Sequence, residues 1–129
     1  MEKTMIDIYE ASKVLQRECH LAAKNAGWWT DISSGKPTIG IRNVPELLCL
    51  VHSEISEAME GYRKNLMDDK LTDRPMIEVE LADAVIRIFD IAGGMGYDVA
   101  GAIVAKMEYN STRSDHKIEN RKKDGGKKF

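Results

Sequence analysis

Cysteine is scarce in this chain of 129 residues, with Cys19 and Cys49 the only two. That excludes a secreted scaffold stapled by disulfides, and both thiols fit buried apolar positions in a reducing, cytoplasmic compartment. Long apolar runs are missing as well. None approaches the roughly 18 residues of a membrane span, and Met1 to Ile8 lacks the apolar stretch of a secretory leader. No segment of useful length alternates polar and apolar residues, none repeats another, and none is of low complexity. A composition of 43 % hydrophobic and 31 % charged residues then describes one globular, all-α domain. A chain this short buries only about two-thirds of its unfolded surface, so self-association is a natural supplement.

The net charge of −2 conceals an asymmetry. Between Arg113 and Phe129 stand seven basic residues and three acids, which leaves twelve basic and eighteen acidic residues in the body. An acidic body with a basic tail suits contact with a polyanion or phosphate-bearing ligand through the tail. We take residues 1–112 as a helical domain and 113–129 as a basic tail that completes it.

Four helices are legible. Met5, Ile8, Ser12, Leu15, Cys19, Ala22 and Ala26 recur at alternating spacings of three and four, which predicts a helix from about Thr4 to Ala26, stopped by Gly27. Gly27 to Arg42 reads as a loop, and a loop that long in a small domain is either disordered or functional. Its adjacent Trp28 and Trp29 speak against disorder. Asn43 with Glu46 three residues on, and Pro45 between them, opens a second helix reaching about Lys64. Asp73-Arg74-Pro75 opens a third that continues to about Ala92, where Gly93-Gly94-Met95-Gly96 reads as a break. Asp98 caps a fourth, to about Thr112.

The second and third helices each carry an acid-x-x-acid pair, Glu54 with Glu57 and Glu80 with Asp83. Residues three apart share a helix face. At about 100° per residue, the apolar residues of the second helix fill one arc; Glu54 falls inside it, Glu57 at its edge and Glu60 on the opposite side. The third helix is apolar over most of its circumference and so should be central. Its Glu80, Asp83, Arg87 and Asp90 share one narrow stripe. Burying isolated carboxylates costs several kcal/mol each, so convergent buried acids are normally paired or bound to metal. One arginine cannot neutralise four acids, and an all-oxygen ligand set favours Mg2+, with Mn2+ as a substitute. A di-iron site would want Glu-x-x-His pairs, which His20, His52 and His116 do not supply.

Magnesium held by carboxylates keeps positions open for substrate phosphates, and cations should stand nearby. Lys106, Asn110 and Arg113 form one stripe of the fourth helix, and Lys127 and Lys128 add charge in the tail. No Gly-rich P-loop is present. Trp28 and Trp29 offer indole faces, one for stacking on a base and the other for packing.

With these residues in place, the chain resembles the MazG-like nucleotide pyrophosphohydrolases of the all-α NTP pyrophosphatase superfamily. The resemblance rests on Glu54-x-x-Glu57, Glu80-x-x-Asp83, Gly27-Trp28-Trp29, the stretch Leu50 to Glu54, the run Ala84 to Asp90, Lys106 to Asn110 with Arg113, and the closing Gly126-Lys127-Lys128-Phe129. It implies a four-to-five-helix bundle that forms homodimers or homotetramers. It also implies Mg2+-dependent hydrolysis of a nucleoside triphosphate to the monophosphate and pyrophosphate. Carried over by position, Glu54, Glu57, Glu80 and Asp83 are metal ligands, and one helix-two glutamate orients the attacking water. Lys106 and Asn110 meet phosphates, and one of Trp28 and Trp29 faces the base. Arg87, one turn after Asp83, is added as either a substrate contact or charge balance for Glu80, Asp83 and Asp90; Arg113, Lys127 and Lys128 are further phosphate contacts. No membrane or nucleic-acid partner is called for. Hydrolysis of another phosphoanhydride, such as phosphoribosyl-ATP or an alarmone, and non-catalytic nucleotide binding are the competing readings.

Overall fold

Local capping chemistry sets several of the helix ends. In the computed structural model, which describes residues 2–129, α1 spans Lys3–Asn25, α2 Val44–Arg63, α3 Met76–Met95, α4 Val99–Thr112 and α5 Ile118–Arg121. A 3-10 turn, Ser114–His116, precedes α5. The Asn43 side chain accepts the Glu46 N–H at the start of α2, and Asp98 accepts Gly101 N–H at the start of α4. Such caps satisfy amides that have no partner within the helix. Gly27 and Gly96 follow α1 and α3 at φ of 92° and 75°, a region that side chains avoid. Among the described residues there is no strand, only isolated bridges at Thr30–Pro37 and Met67–Pro75. Among the described residues, no single helix is long and apolar enough to cross a membrane.

The chain divides into two compact units, with the boundary inside α1. The larger, Lys13–Tyr97, holds the rest of α1, the Trp28–Trp29 loop, α2 and α3. Here α2 packs against α3, and Trp29, Leu47 and Ile91 form the core, bordered by Ala23, Val51 and Met95. Among the described residues, Trp29 is the one large side chain buried almost completely.

Two expectations change here. Gly93 and Gly94 do not break α3, which runs on to Met95. A Cβ on Gly93 would collide with the His20 side chain, and one on Gly94 with the six-membered ring of Trp29. Close approach, rather than a turn, is the reason for glycine at both positions. Nor is α3 buried around most of its circumference. Leu81, Val85, Ile86 and Ile88 are 41–46 % exposed, while Glu80, Ala84, Phe89 and Ile91 face inward.

The smaller unit joins the beginning of the chain, up to Ser12, with Asp98–Phe129. Ala100 and Val104 are buried on α4. The basic tail is folded back on itself: Lys128 Nζ donates to the carbonyls of Arg121 and Lys123, and Arg121 donates to those of Lys127 and Lys128. The cysteines also depart from expectation, Cys19 being half-buried and Cys49 exposed on the outer side of α2.

Candidate functional site

Three of the four acids converge. Glu54 and Glu57 from α2 and Glu80 from α3 each offer a carboxylate oxygen, and these oxygens lie within 4.8 Å of one another. Glu54 and Glu80 are buried and Glu57 is exposed, so the group opens to solvent on one side. The i,i+3 spacing on α2 aims both of its acids at the same patch of α3. Asp83 is not part of this trio. It is half-buried and, with Glu54 alone of the three, lines a cavity.

The electrostatics of the trio are unusual. As a carboxylate, Glu80 would bury Oε2 without a donor. Its pKa is pushed up to about 8, first by a hydrogen bond shared with Glu54, then by burial and by Glu57. Protonation of Glu80 supplies the hydrogen that two neighbouring carboxylates need to share a hydrogen bond. Burial alone would raise Glu54 too, but its hydrogen bonds with Glu80 and Arg87 outweigh burial and hold it below its ordinary value. Asp83 is raised, chiefly by burial and then by Glu54, with Arg87 acting against both. A proton is one way to relieve three crowded carboxylates, and a cation is the other. Glu54, Glu57 and Glu80 fit a hard, oxygen-liganded divalent ion, because their carboxylates converge and Glu80 is buried with Oε2 unpartnered.

Arg87 donates its Nε–H to Glu54 Oε1 at 3.0 Å. It therefore balances an acid of α2 directly. That pair forms one wall of a cavity of about 620 Å³. Asp83, Arg87 and Asp90 line it from α3, Glu46 and Leu50 from α2, and Trp28 and Arg42 from the loop.

The two tryptophans separate cleanly. Trp28 is exposed at the cavity, and its carbonyl is held by Arg42 at 2.8 Å. Trp29 is 1 % exposed and packs in the core beneath the Arg42 guanidinium, 5.5 Å from the ring centre. Its Nε1–H donates to Asp90 Oδ1 at 2.8 Å, and His20 Nδ1 meets the same oxygen at 3.0 Å. This Trp29–Asp90–His20 cluster went unnoticed in the sequence. Asp90 could be placed on the stripe of Asp83 and Arg87, but its two partners lie far away in the chain and carry no periodic signal.

Lys106, Asn110, Arg113, Lys127 and Lys128 belong to the smaller unit. Lys106 Nζ sits over the Tyr109 ring at 5.0 Å. Arg113 makes two hydrogen bonds to Asp115 and a longer one to Asn110. Lys127 also reaches Asp115, at 3.1 Å. The Arg113 and Lys127 cations hold the Asp115 carboxyl far below the usual range.

Compared with protein-family models, with curated proteins and with solved structures, the chain finds no match.

Proposed function

We propose that the chain is a divalent-metal-dependent nucleoside triphosphate pyrophosphohydrolase of the MazG-like type, releasing pyrophosphate and a nucleoside monophosphate. One observation carries the reading: the orphaned, nine-tenths-buried Glu80 carboxyl meets Glu54 and Glu57 at the edge of a cavity. A purely structural helix pair has no use for such a group. Buried acids without a cation lose stability, whereas a metal enzyme needs them deprotonated and pre-assembled.

In this reading Glu54, Glu57 and Glu80 hold Mg2+, or Mn2+ in its place, with Asp83 as a further acid at the cavity wall. The ion supplies charge neutralisation and a pole for the phosphate oxygens. Glu54 is tied to Arg87, which leaves the solvent-facing Glu57 to orient a water and take its proton. The water oxygen bonds to the α-phosphorus as the bond to the bridging oxygen breaks, and pyrophosphate leaves with that oxygen. Arg87 stands where it can face the phosphates, and Trp28 offers an exposed indole for the base. No covalent intermediate is required.

Self-association belongs to the same proposal. Leu48, Ile55, Met59 and Tyr62 form an exposed apolar stripe along α2, and Leu81, Val85 and Ile88 form another along α3. A second copy of the chain would cover them.

The test is a panel of NTPs and dNTPs with and without Mg2+ or Mn2+, the products separated to distinguish pyrophosphate from orthophosphate. Metal-dependent release of monophosphate and pyrophosphate is the expected result. No turnover across the panel, with no thermal shift on adding metal, would sink the reading.

A further inference from the structure

The cavity is chemically lopsided. Asp83, Arg87 and Asp90 lie at i, i+4 and i+7 on α3, and all three line it. Seven residues of helix rise by about 10 Å, which matches the reach from an α-phosphate across a ribose to the far edge of a base. At the Asp83 end stand Glu54 and its Arg87 partner. At the Asp90 end the wall toward α1 is apolar and small, built from Cys19, Ala22, Ala23 and Ala26. Asp90 is a carboxylate set against that wall, with its side chain 20 % exposed.

Both donors to Asp90 go to the same oxygen. Trp29 Nε1 and His20 Nδ1 meet Oδ1, and neither reaches Oδ2. The buried indole is closely confined, since a Cβ on Gly94 would collide with its six-membered ring. Asp90 is therefore held in one orientation, with one oxygen occupied and the other left to accept. The neighbouring Arg42 directs Nη1 to the Trp28 carbonyl and stands over Trp29, with Nη2 4.0 Å from Glu46. Asp90 Oδ2 is thus a fixed acceptor at this end of the cavity.

We infer that Asp90 is a specificity-determining residue that selects bases carrying an exocyclic amine, cytosine and adenine, over those with a carbonyl in its place. Amine N–H groups donate to the fixed carboxylate oxygen. A carbonyl there would face it lone pair to lone pair, leaving both acceptors unpaired. This inference rests on the nucleotide reading above and adds the class of base to it.

Its test compares monophosphates without added metal, so that the readout is binding and not turnover. CMP against UMP, and AMP against IMP, differ by an amine replaced with a carbonyl at the same ring position. Calorimetry should find the amine-bearing member at least about tenfold tighter in one pair or both, as a hydrogen bond to a charged group supplies. Asp90→Asn keeps an oxygen for Trp29 and turns an NH2 toward the cavity, so that ratio should collapse or invert. A structural role would change both members alike and leave the ratio unmoved. Equal affinities within both pairs for the native protein would overturn the inference, and that comparison needs no variant to fold. If the NTP panel still shows Mg2+-dependent pyrophosphate release, only the inference fails. If neither binding nor hydrolysis is seen for any nucleotide, the nucleotide reading fails and takes the inference with it.

Discussion

Glu80 and Asp90 are carboxylates of one helix in opposite circumstances. Asp90 receives an indole N–H and an imidazole nitrogen, and each partner is anchored by packing. Glu80 is more deeply buried, yet it meets two further glutamates and no donor. A carboxylate held by two donors through one oxygen keeps a fixed orientation. One without them is a stored cost that a proton or a cation must offset. The same residue chemistry thus gives a carboxylate of fixed orientation at one position and one that awaits a proton or a cation at the other.

The largest effect should come from breaking the Asp90 side. Trp29→Ala removes a large side chain that is only 1 % exposed and one of the two donors to Asp90, and should cost about 3–5 kcal/mol in urea unfolding. A loss below about 1 kcal/mol would show that Trp29 is not the keystone of the core.

Acting on the Glu80 side should damage function while sparing the fold. Glu57→Gln and Asp83→Asn should each cut turnover by more than about 100-fold, above the usual effect of losing an outer-shell partner. Circular dichroism should be unchanged. Retained activity in either variant would remove that acid from the site.

The comparison sharpens with pH. Glu80 has a folded-state pKa of about 8 against 4.5 unfolded, so the folded protein binds the extra proton. A raised pKa stabilises fully below 4.5 and is lost as pH rises through about 8. The melting temperature of the metal-free protein should therefore fall by several degrees from pH 5 to pH 8.5, each of those pH values being an approximate setting for the assay. Mg2+ should restore it at the upper end, and Glu80→Gln should abolish both the fall and the rescue. A metal-free melting temperature that does not change over this range would contradict the shared proton.

The smallest effect is expected from His20→Ala, which leaves Asp90 its indole donor and should cost about 1 kcal/mol. A cost near that of Trp29→Ala would mean the imidazole, and not the indole, sets the carboxylate.

Much of the helix framework could be read locally. Asn43 with Glu46, Asp98 with Gly101, and the positive-φ glycines after α1 and α3 are short-range chemistry, and they mark helix ends to within a residue or two. Gly93-Gly94 misled because the reason for those glycines is His20 and Trp29, some seventy residues earlier. In the tail, charge and glycine obscured the short turn and α5, whose ends lack side-chain caps. The burial of Glu54 followed from its angle on an apolar arc. The pairing of Arg87 with Glu54, and not with acids of its own stripe, depends on how α2 lies against α3.

By itself, then, the order of residues determined an all-helical chain with acids spaced to share helix faces, because helix period, caps and glycine stops act over a few positions. Only the tertiary structure decided which acids meet, which tryptophan is buried, and which oxygen of Asp90 is left open. Those depend on the registry of elements distant in the chain, and packing, not spacing, sets that registry.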